Sequence, residues 1–383
     1  MSTPPGKKPS KQGKKVRVPF RRNRGVRPRD KDWTDRVRDG APGGADSPQG
    51  ERVVAKGNLS RHRTIIVGDD DLHAAESARG VVIAVRGLFA DVDDGTHIRP
   101  CTIRRILRTR KIDGRSPVIV GDRVCFTLTP QVTGKGEEGV IERVEPRTGQ
   151  LQRLAGRRLH TMVANVDQVV IVSSAAEPDP KPHLLDRYIV AAHHGGMAPV
   201  ICMNKIDLDS HGEAASILDR YQSLGYITLP CSAATGEGID RLKDTLRNRS
   251  SAIAGQSGVG KSSLLNAVQP GLNLATAEVT DQTGKGKHTT TTARLLRLQI
   301  GGYVVDTPGI RSFDVTIVPS GELEAYFVEF VELVSQCRFP GCTHTHETEC
   351  AIQDAVEDGV IHPDRYATYA LLFQEARDRE RRW

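Results

Sequence analysis

A glycine-rich stretch reads Gly255-Gln256-Ser257-Gly258-Val259-Gly260-Lys261-Ser262-Ser263. It follows the short apolar run Ala252–Ala254 and opens the helix-like segment Ser263–Ala267. Glycines let the backbone curl so that several N–H groups point inward, and the first turn of a helix adds unpaired donors. A strand, a glycine-rich loop and a helix in this order predict a P-loop that binds the phosphates of a nucleotide. The alternative is a strand-to-helix turn that matches this pattern by chance.

Two side chains of the stretch suit triphosphate chemistry. Lys261 is placed to reach the β- and γ-phosphates, and the Ser262 hydroxyl is placed to ligate Mg²⁺. We therefore expect Gly255 through Ser263 to bind the nucleotide and Lys261 to act in catalysis.

The overall composition limits the class of protein. A chain of 383 residues exceeds one ordinary core, so two or three domains are expected. The sequence has no apolar run near 18 residues and a hydrophilic N-terminus, which predicts no membrane span, no signal peptide and a cytoplasmic location. The seven cysteines are an odd number, which argues against a secreted disulfide scaffold.

The positive charge lies in the N-terminal tail. Residues 1–29 contain eleven Lys and Arg and no Asp or Glu, so the net charge of +7 becomes −4 for the rest of the chain. A basic, aromatic-poor segment cannot bury a core, and we expect residues 1–60 to be disordered when free. The tail is suited to a polyanion such as nucleic acid, or it is a dispensable extension.

Short β-type runs separated by turn signals occupy residues 79–150 and predict a small barrel of the OB-fold type. The expected strands are Gly80–Val85, Leu88–Val92, Cys101–Ile103, Pro117–Val120, Arg123–Leu128 and Gly139–Val144. Such barrels often bind RNA, and the basic run 104–111 supplies charge. Phe89 and Phe126 are either stacking platforms or core residues.

From residue 160 to about 318 the pattern changes to alternating β and α segments, which predicts a doubly wound parallel sheet with the P-loop inside it. Ligands of such sheets bind beyond the carboxyl ends of the strands. One of these ends carries Asn204-Lys205-Ile206-Asp207, and another carries Ser232-Ala233.

These two loops suit guanine. The Asp207 carboxylate offers two acceptors to the N1 and N2 donors of guanine, whereas adenine has no such pair of donors. Asn204 can donate to N7 or O6, and the Lys205 stem can cover the face of the base. The Ala233 N–H can meet O6. Together with a P-loop in the same domain, the loops predict a guanine nucleotide, whereas alone the first would be an ordinary helix-start turn.

A predicted hairpin ends in Asp306-Thr307-Pro308-Gly309, where Asp306 would hold Mg²⁺, through water, and the Gly309 N–H would sense the γ-phosphate. The polar segment 283–292 precedes it and is either a switch or an ordinary mobile loop. We expect Thr290, or less favourably Thr289, to complete the Mg²⁺ shell. Ile310 stands where many GTPases place a glutamine, so His288 is the candidate to position water, and slow intrinsic turnover is expected.

A second cluster lies near the C-terminus. Cys337, Cys342, His344 and Cys350 offer three thiolates and an imidazole, which predicts one structural zinc ion per monomer in a helical domain, residues 320–383. His346 competes with His344 for this role, and the alternative is that these cysteines are free. Helices are expected at 321–335 and at about 363–382.

The nucleotide motifs occur in a rotated order, because the guanine loops precede the P-loop and the Asp306 loop follows it. A small barrel, a circularly permuted GTPase domain and a Cys-x4-Cys-x-His-x5-Cys knuckle together resemble the RsgA (YjeQ) family of bacterial GTPases that depend on the small ribosomal subunit. The resemblance covers about residues 79–383. It implies that Gly255–Ser263 and Asn204–Asp207 bind GTP and that the family's proposed catalytic histidine corresponds to His288.

The resemblance also implies an activity and its partners. These are GTP hydrolysis stimulated by the small subunit, contact with its rRNA and assistance in its late maturation, with hydrolysis driving release. We expect a monomer that makes no membrane contact. The alternative is an RNA-binding chaperone whose conformation is set by nucleotide and whose turnover is incidental.

Overall fold

The structure is a computed structural model, and it describes residues 14–19, 62–67, 77–104, 107, 117–129, 138–155, 158–272, 293–306 and 318–382. Two strands of the N-terminal region, β1 (Lys14–Pro19) and β2 (His62–Val67), pair antiparallel with Lys14 opposite Val67. They belong to a compact unit separate from the rest of the chain. The remainder of the tail that we expected to be disordered lies outside the described residues.

Five strands form a closed barrel in the order β3-β4-β5-β7-β6. Their bounds are β3 (Ala78–Arg86), β4 (Phe89–Asp93), β5 (Ile98–Ile103), β6 (Arg123–Leu128) and β7 (Gly139–Val144). Val82, Phe126 and Ile141 are fully buried in it, whereas Phe89 is half exposed. The OB-like barrel is thus confirmed, and Phe126 is a core residue.

One expected strand of the barrel is wrong. Of the segment Pro117–Val120, only Val120 makes a bridge, and it pairs with Val163 outside the barrel. The neighbouring Asp122 explains the difference, because its buried carboxylate accepts from the Ile119 N–H and from Arg147, which holds the segment in a turn. A hairpin follows the barrel, formed by β8 (Gln150–Ala155) and β9 (Arg158–Ala164).

A six-stranded sheet follows, in the order β12-β11-β10-β13-β15-β14. The strands are β10 (Gln168–Ser174), β11 (Ala198–Asn204), β12 (Ile227–Pro230), β13 (Ser250–Ala254), β14 (Arg294–Arg297) and β15 (Tyr303–Asp306). All neighbours pair parallel except β14 and β15, which are antiparallel. The predicted α/β sheet is therefore present, with β13 near its centre.

Both faces of this sheet are covered, as the continuous apolar strands require. Along β10, Val169 and Ile171 belong to one hydrophobic core, and Val170 and Val172 belong to the core on the opposite face. The helices of this domain are α1 (Pro182–His194), α2 (Glu213–Ser223), α3 (Ile239–Leu246) and α4 (Lys261–Val268). The first two contribute to the Ile171 core and the last two to the Val172 core.

The C-terminal region has a core around Phe327, Phe330 and Tyr369, to which Val190 of α1 also belongs. It contains α5 (Ala351–Glu357) and α6 (Pro363–Arg381). The helical segment expected at 321–335 is present in part, as a 3-10 helix, Ser320–Tyr326, and a short 3-10 segment, Val334–Gln336, with turns between them. Phe327 and Phe330 lie between these two segments, and both rings contact Tyr369.

A buried arginine attaches this region to the sheet domain. Arg365 of α6 donates to Asp186 of α1 at 2.6 Å, and it makes a two-pronged contact with Glu329 at 2.7 and 2.8 Å. The Tyr221 hydroxyl of α2 donates to the same Asp186 carboxylate at 2.7 Å. Helices from both regions therefore share one charged network. Among the described residues, no helix is long and apolar enough to cross a membrane.

Candidate nucleotide site and candidate metal centre

The glycine-rich loop lies between β13 and α4, at the carboxyl edge of the sheet. Gly255, Gly258 and Gly260 have φ of 139°, 86° and 88°, a backbone region that side chains rarely adopt. A Cβ at Gly255 would collide with the Val172 carbonyl, and one at Gly260 would collide with the Asn204 amide. The curl of the loop therefore depends on these glycines.

Ser262 and Ser263 lie in the first turn of α4, where N–H groups are unpaired and the helix dipole is positive. Gln256 is partly exposed, Ser257 and Gly258 are exposed and Val259 is buried, so the tip of the loop faces solvent while Val259 fixes it to the core. This arrangement suits a loop that wraps a polyanion.

Lys261 is folded back over the loop. Its Nζ donates to the carbonyls of Gly255 at 2.9 Å and Gln256 at 2.6 Å. The ammonium group is thus held within the concave side of the loop, where a phosphate chain would lie.

Asn204 connects three loops. Its amide nitrogen donates to the Val259 carbonyl at 2.8 Å, and its amide oxygen accepts from the Ala233 N–H at 3.1 Å. The side chain is 1% exposed. The loops that sequence alone assigns to phosphate and to base are therefore joined through one buried amide, which leaves one amide hydrogen for the contact to the base that we expected.

The other residues of this motif surround Asn204. Lys205 has a positive φ of 60°, and its Nζ donates to the Glu177 carbonyl, in the loop that follows β10. Ile206 and Asp207 lie in a short 3-10 helix, and the Asp207 side chain is exposed to solvent. An exposed carboxylate beside the loop edge is accessible to a base.

Ser232 is fully buried and its hydroxyl accepts from the Thr235 N–H at 3.1 Å, which closes the turn after β12. This turn positions Ala233 against Asn204. The Ser232-Ala233 loop, the Asn204–Asp207 loop and the P-loop thus meet at the same edge of the sheet.

Several predicted site residues cannot be placed. His288, Thr289, Thr290, Gly309 and Ile310 lie outside the described residues. Asp306 is the last residue of β15 and lies opposite Arg294 of β14. In the sheet, β15 is next to β13, the strand that leads into the P-loop, and two strands from β10. The position of Asp306 along the chain is consistent with the carboxyl edge of the sheet.

The loop after β10 was missed by the sequence reasoning. Besides the contact of its Glu177 carbonyl with Lys205, the Pro178 carbonyl accepts from the Ser174 hydroxyl at 2.5 Å. Pro178 also lies beside the P-loop, since a Cβ at position 258 would be 3.4 Å from the Pro178 Cδ. The rule that ligands bind beyond strand ends would have indicated this loop, because it follows a buried strand just as the others do.

The four predicted metal ligands come together. One ligand atom from each of Cys337, Cys342, His344 and Cys350 lies within 4.8 Å of the others. The His344 Nδ1 is 3.5 Å from the Cys337 sulfur and 3.3 Å from the Cys350 sulfur. Three thiols and an imidazole at these separations form a closed set that fits a tetrahedral ion.

The structure distinguishes the two candidate histidines. His344 is fully buried, and its Nε2 lies 3.1 Å from a Glu324 oxygen. A carboxylate on the far nitrogen fixes the ring so that Nδ1 faces the thiols. The side chain of His346 is 78% exposed and faces Glu347 instead, so it lies outside the cluster. Glu324, which sequence reasoning missed, is 20 residues from His344 in the chain.

Comparisons with known proteins agree over most of the chain. The family model described as RsgA GTPase matches residues 144–316. The small ribosomal subunit biogenesis GTPase RsgA of Moorella thermoacetica is 42% identical over 302 residues, which are 79% of this chain and 98% of that protein. The protein of the same name from Thermotoga maritima is 38% identical over 309 residues, with 79% and 98% covered.

Two solved structures are similar as well. The crystal structure of YjeQ from Thermotoga maritima has a TM-score of 0.64 and 36% identity, and the match covers 78% of this chain and 98% of that one. YloQ, described as a circularly permuted GTPase, has a TM-score of 0.62 and 30% identity, with 81% and 99% covered. The similarity therefore includes the barrel and the C-terminal region as well as the sheet.

Proposed function

This chain belongs to the RsgA family of small ribosomal subunit biogenesis GTPases, and from that premise we propose how its own residues bind and hydrolyse GTP on the subunit. It is a GTPase of ribosome biogenesis built on the circularly permuted fold. Its substrate is GTP with Mg²⁺, and its partner is the small ribosomal subunit. The observation that supports this most strongly is the Asn204 amide, which joins the phosphate loop to both base loops.

The roles of the site residues follow from their positions. The P-loop N–H groups and Lys261 bind the β- and γ-phosphates, and Asp207 accepts from the guanine N1 and N2 groups. The Ala233 N–H, which we expected at O6, donates to the Asn204 amide oxygen and so holds that amide in place. Ser262, Asp306 and Thr290 hold Mg²⁺, which neutralises charge on the phosphates. His288 positions the attacking water, and the Gly309 N–H senses the γ-phosphate.

We propose that the barrel and the C-terminal region contact rRNA and that this contact stimulates hydrolysis, which then drives release during late maturation of the subunit. Leu88, Phe89 and Leu128 support the barrel's part in this, because these large apolar side chains of the barrel are exposed. Exposed aromatic and apolar groups can stack with unpaired bases.

The Cys/His cluster fits one zinc ion per monomer in a structural role, with no open ligand position. When bound, zinc would hold the 337–350 loop together, and Glu324 would orient His344. We further propose that the protein acts as a monomer in the cytoplasm.

Single-turnover hydrolysis of GTP tests this function. We expect purified small subunits to accelerate hydrolysis by the wild-type chain and large subunits to leave it unchanged. The Lys261→Ala variant should show no acceleration. Tight binding to small subunits without any acceleration would favour the alternative, a nucleotide-switched RNA chaperone, and no preference for GTP over ATP would contradict the proposal itself.

A further inference from the structure

A buried carboxylate of the barrel contacts the sheet domain far from the nucleotide loops. Asp93 ends β4, and its side chain has no exposed surface. The Gly95 N–H donates to it from within the barrel at 2.9 Å. The Tyr303 hydroxyl and an Arg297 guanidinium nitrogen, both from the sheet domain, lie 3.0 and 3.3 Å from its oxygens.

These two donors form one unit. Arg297 of β14 and Tyr303 of β15 are directly opposite each other in the antiparallel pair. Arg297 also donates to the Gly95 carbonyl at 2.5 Å. The β14–β15 hairpin therefore contacts both the side chain and the backbone of the turn that follows β4. We call Asp93, Arg297 and Tyr303 the hairpin clamp.

The hydrogen bonds to Asp93 should keep the hairpin in a fixed position against the barrel. An ionised carboxylate is costly to bury unless it accepts hydrogen bonds, so moving the hairpin away from Asp93 would be unfavourable. Burial, together with the nearby Asp93, raises the pKa of Tyr303 to about 12. The phenol therefore keeps its proton near neutral pH and remains a donor.

The hairpin leads to the nucleotide. Tyr303 begins β15, and Asp306 ends it three residues later. The same strand pairs with the P-loop strand, with Tyr303 opposite Ser250 and Val305 opposite Ala252. A rigid strand of four residues thus connects a barrel contact to the residue that we assign to Mg²⁺.

The barrel has other attachments that do not touch this strand. The Asn165 amide, just before β10, donates to the Gly121 carbonyl of the barrel at 2.8 Å. Because this contact lies where the barrel meets the start of β10, it can hold the domains together without setting the position of β15. Barrel and hairpin also share apolar packing, since Ile83 of β3 lies in the same core as Leu295 and Val305. The hairpin clamp adds directed polar contacts between the barrel and the strand ending in Asp306.

We propose that the hairpin clamp is a positioning contact through which the barrel, once docked on small-subunit RNA, fixes β15 and Asp306 in the geometry for hydrolysis. This inference depends on the function proposed above, because it concerns how the subunit stimulates the reaction. Tyr303 and Arg297 act through Asp306 and do not touch the substrate. When RNA binds the barrel, the clamp restricts the position of β15. The position of β15 in turn determines where the Asp306 carboxylate lies.

The Tyr303→Phe variant tests the inference, because it keeps the aromatic ring and removes only the hydroxyl donor. We expect its unstimulated GTP hydrolysis, GTP affinity and half-saturating small-subunit concentration to stay within about twofold of the wild type. The subunit-stimulated maximal rate should fall about tenfold or more, because the connection from the docked barrel to Asp306 is lost while binding of GTP and of the subunit is retained. Asp93→Asn should show the same pattern.

Arg99→Gln is the matched control, because Arg99 pairs with Asp94, the residue that follows Asp93 in the same turn of the barrel, at 2.9 Å. It should retain full stimulation. Full stimulation of Tyr303→Phe and Asp93→Asn would overturn the inference, as would an equal loss of stimulated and unstimulated rates. A raised half-saturating subunit concentration with an unchanged maximal rate would also overturn it, because the clamp would then serve docking alone. If the wild-type chain itself shows no stimulation, it is the proposed function that fails.

Discussion

The nucleotide loops and the Cys/His cluster are assembled in opposite ways. Asn204 and Val259, which join two of the nucleotide loops, are 55 residues apart in the chain. The cluster uses ligands between Cys337 and Cys350, only 13 residues apart. The first site is held by a sheet with an apolar core on each face, whereas the second joins a short loop and would depend on a metal ion. The two sites should therefore fail independently.

Removal of the metal should have the largest effect and should spare the nucleotide loops. Structural zinc contributes about 10–16 kcal/mol of binding free energy in small zinc domains, so a zinc-selective chelator with Mg²⁺ in excess, or Cys350→Ser, should unfold the 337–350 loop locally. Limited proteolysis would show new cleavage there, while affinity for a fluorescent GTP analogue stays unchanged.

His346→Ala is the control for this prediction, because His346 lies outside the cluster and should leave metal content intact. An unchanged proteolysis pattern after complete loss of the metal would show that the cluster is not a structural site. Loss of GTP binding together with the metal would show that the two sites are not independent.

The second prediction concerns a variant that alters the nucleotide loops and leaves the Cys/His cluster intact. Gly260→Ala would place a methyl group against the Asn204 amide at a φ of 88°. Left-handed strain of about 1–2 kcal/mol, together with a disturbed buried hydrogen bond worth about 1–3 kcal/mol, should weaken GTP binding by more than tenfold. Equilibrium binding measures this, and the metal content should not change.

Gly236→Ala separates strain from contact. Gly236 has a φ of 86°, close to that of Gly260, but a Cβ there meets nothing within 4 Å. It carries the same backbone strain without the collision and should bind GTP far better than Gly260→Ala. Equal loss in the two variants would mean that the Asn204 contact contributes little.

A third prediction concerns the base. Asp207→Asn replaces one of the two acceptors facing the guanine N1–N2 edge with a donor. Loss of a hydrogen bond to a charged group costs about 1.5–3 kcal/mol, so GTP affinity should fall about 10- to 100-fold while xanthosine triphosphate gains. Competition binding with both nucleotides measures the change. An unaltered preference would show that Asp207 does not read the base.

The smallest effect is expected for an ion pair between the sheet domain and the C-terminal region. Arg187 of α1 makes a bidentate contact with Glu375 of α6 at 2.9 Å for both bonds, but both side chains are partly exposed. Such pairs contribute about 0.2–1 kcal/mol. A double-mutant cycle of Arg187→Gln and Glu375→Gln in urea unfolding should give a coupling in that range. A coupling energy several times larger would show that this ion pair contributes much more to joining the sheet domain and the C-terminal region than a partly exposed pair is expected to contribute.

The difference between local and distant contacts also explains what could be predicted from the sequence. The P-loop, the Asn204–Asp207 motif and the Cys/His spacing are local patterns, and each was recognisable without knowledge of the fold. Asn204 was expected only at the base, because its bonds to Val259 and Ala233 depend on how three distant loops are placed. Glu324 and Asp93 were missed for the same reason, since their partners are 20 and up to 210 residues away.

Tertiary packing also decided details that local sequence could not give. The helical segment expected at 321–335 is interrupted, and Phe327 and Phe330 in the interruption contact Tyr369 of α6. Sequence alone assigned His344 to the cluster but left His346, two residues further on, as a competitor, and the burial of His344 now distinguishes the two.

The decisive measurement is the affinity for the small ribosomal subunit in different nucleotide states. Three loops of one sheet are proposed to bind guanosine triphosphate, and its γ-phosphate is proposed to control the affinity for the subunit. We therefore predict binding at least about tenfold tighter with a non-hydrolysable GTP analogue than with GDP, a coupling of the size common between linked sites. Equal affinity in both states, or an equal response to an ATP analogue, would contradict this proposal.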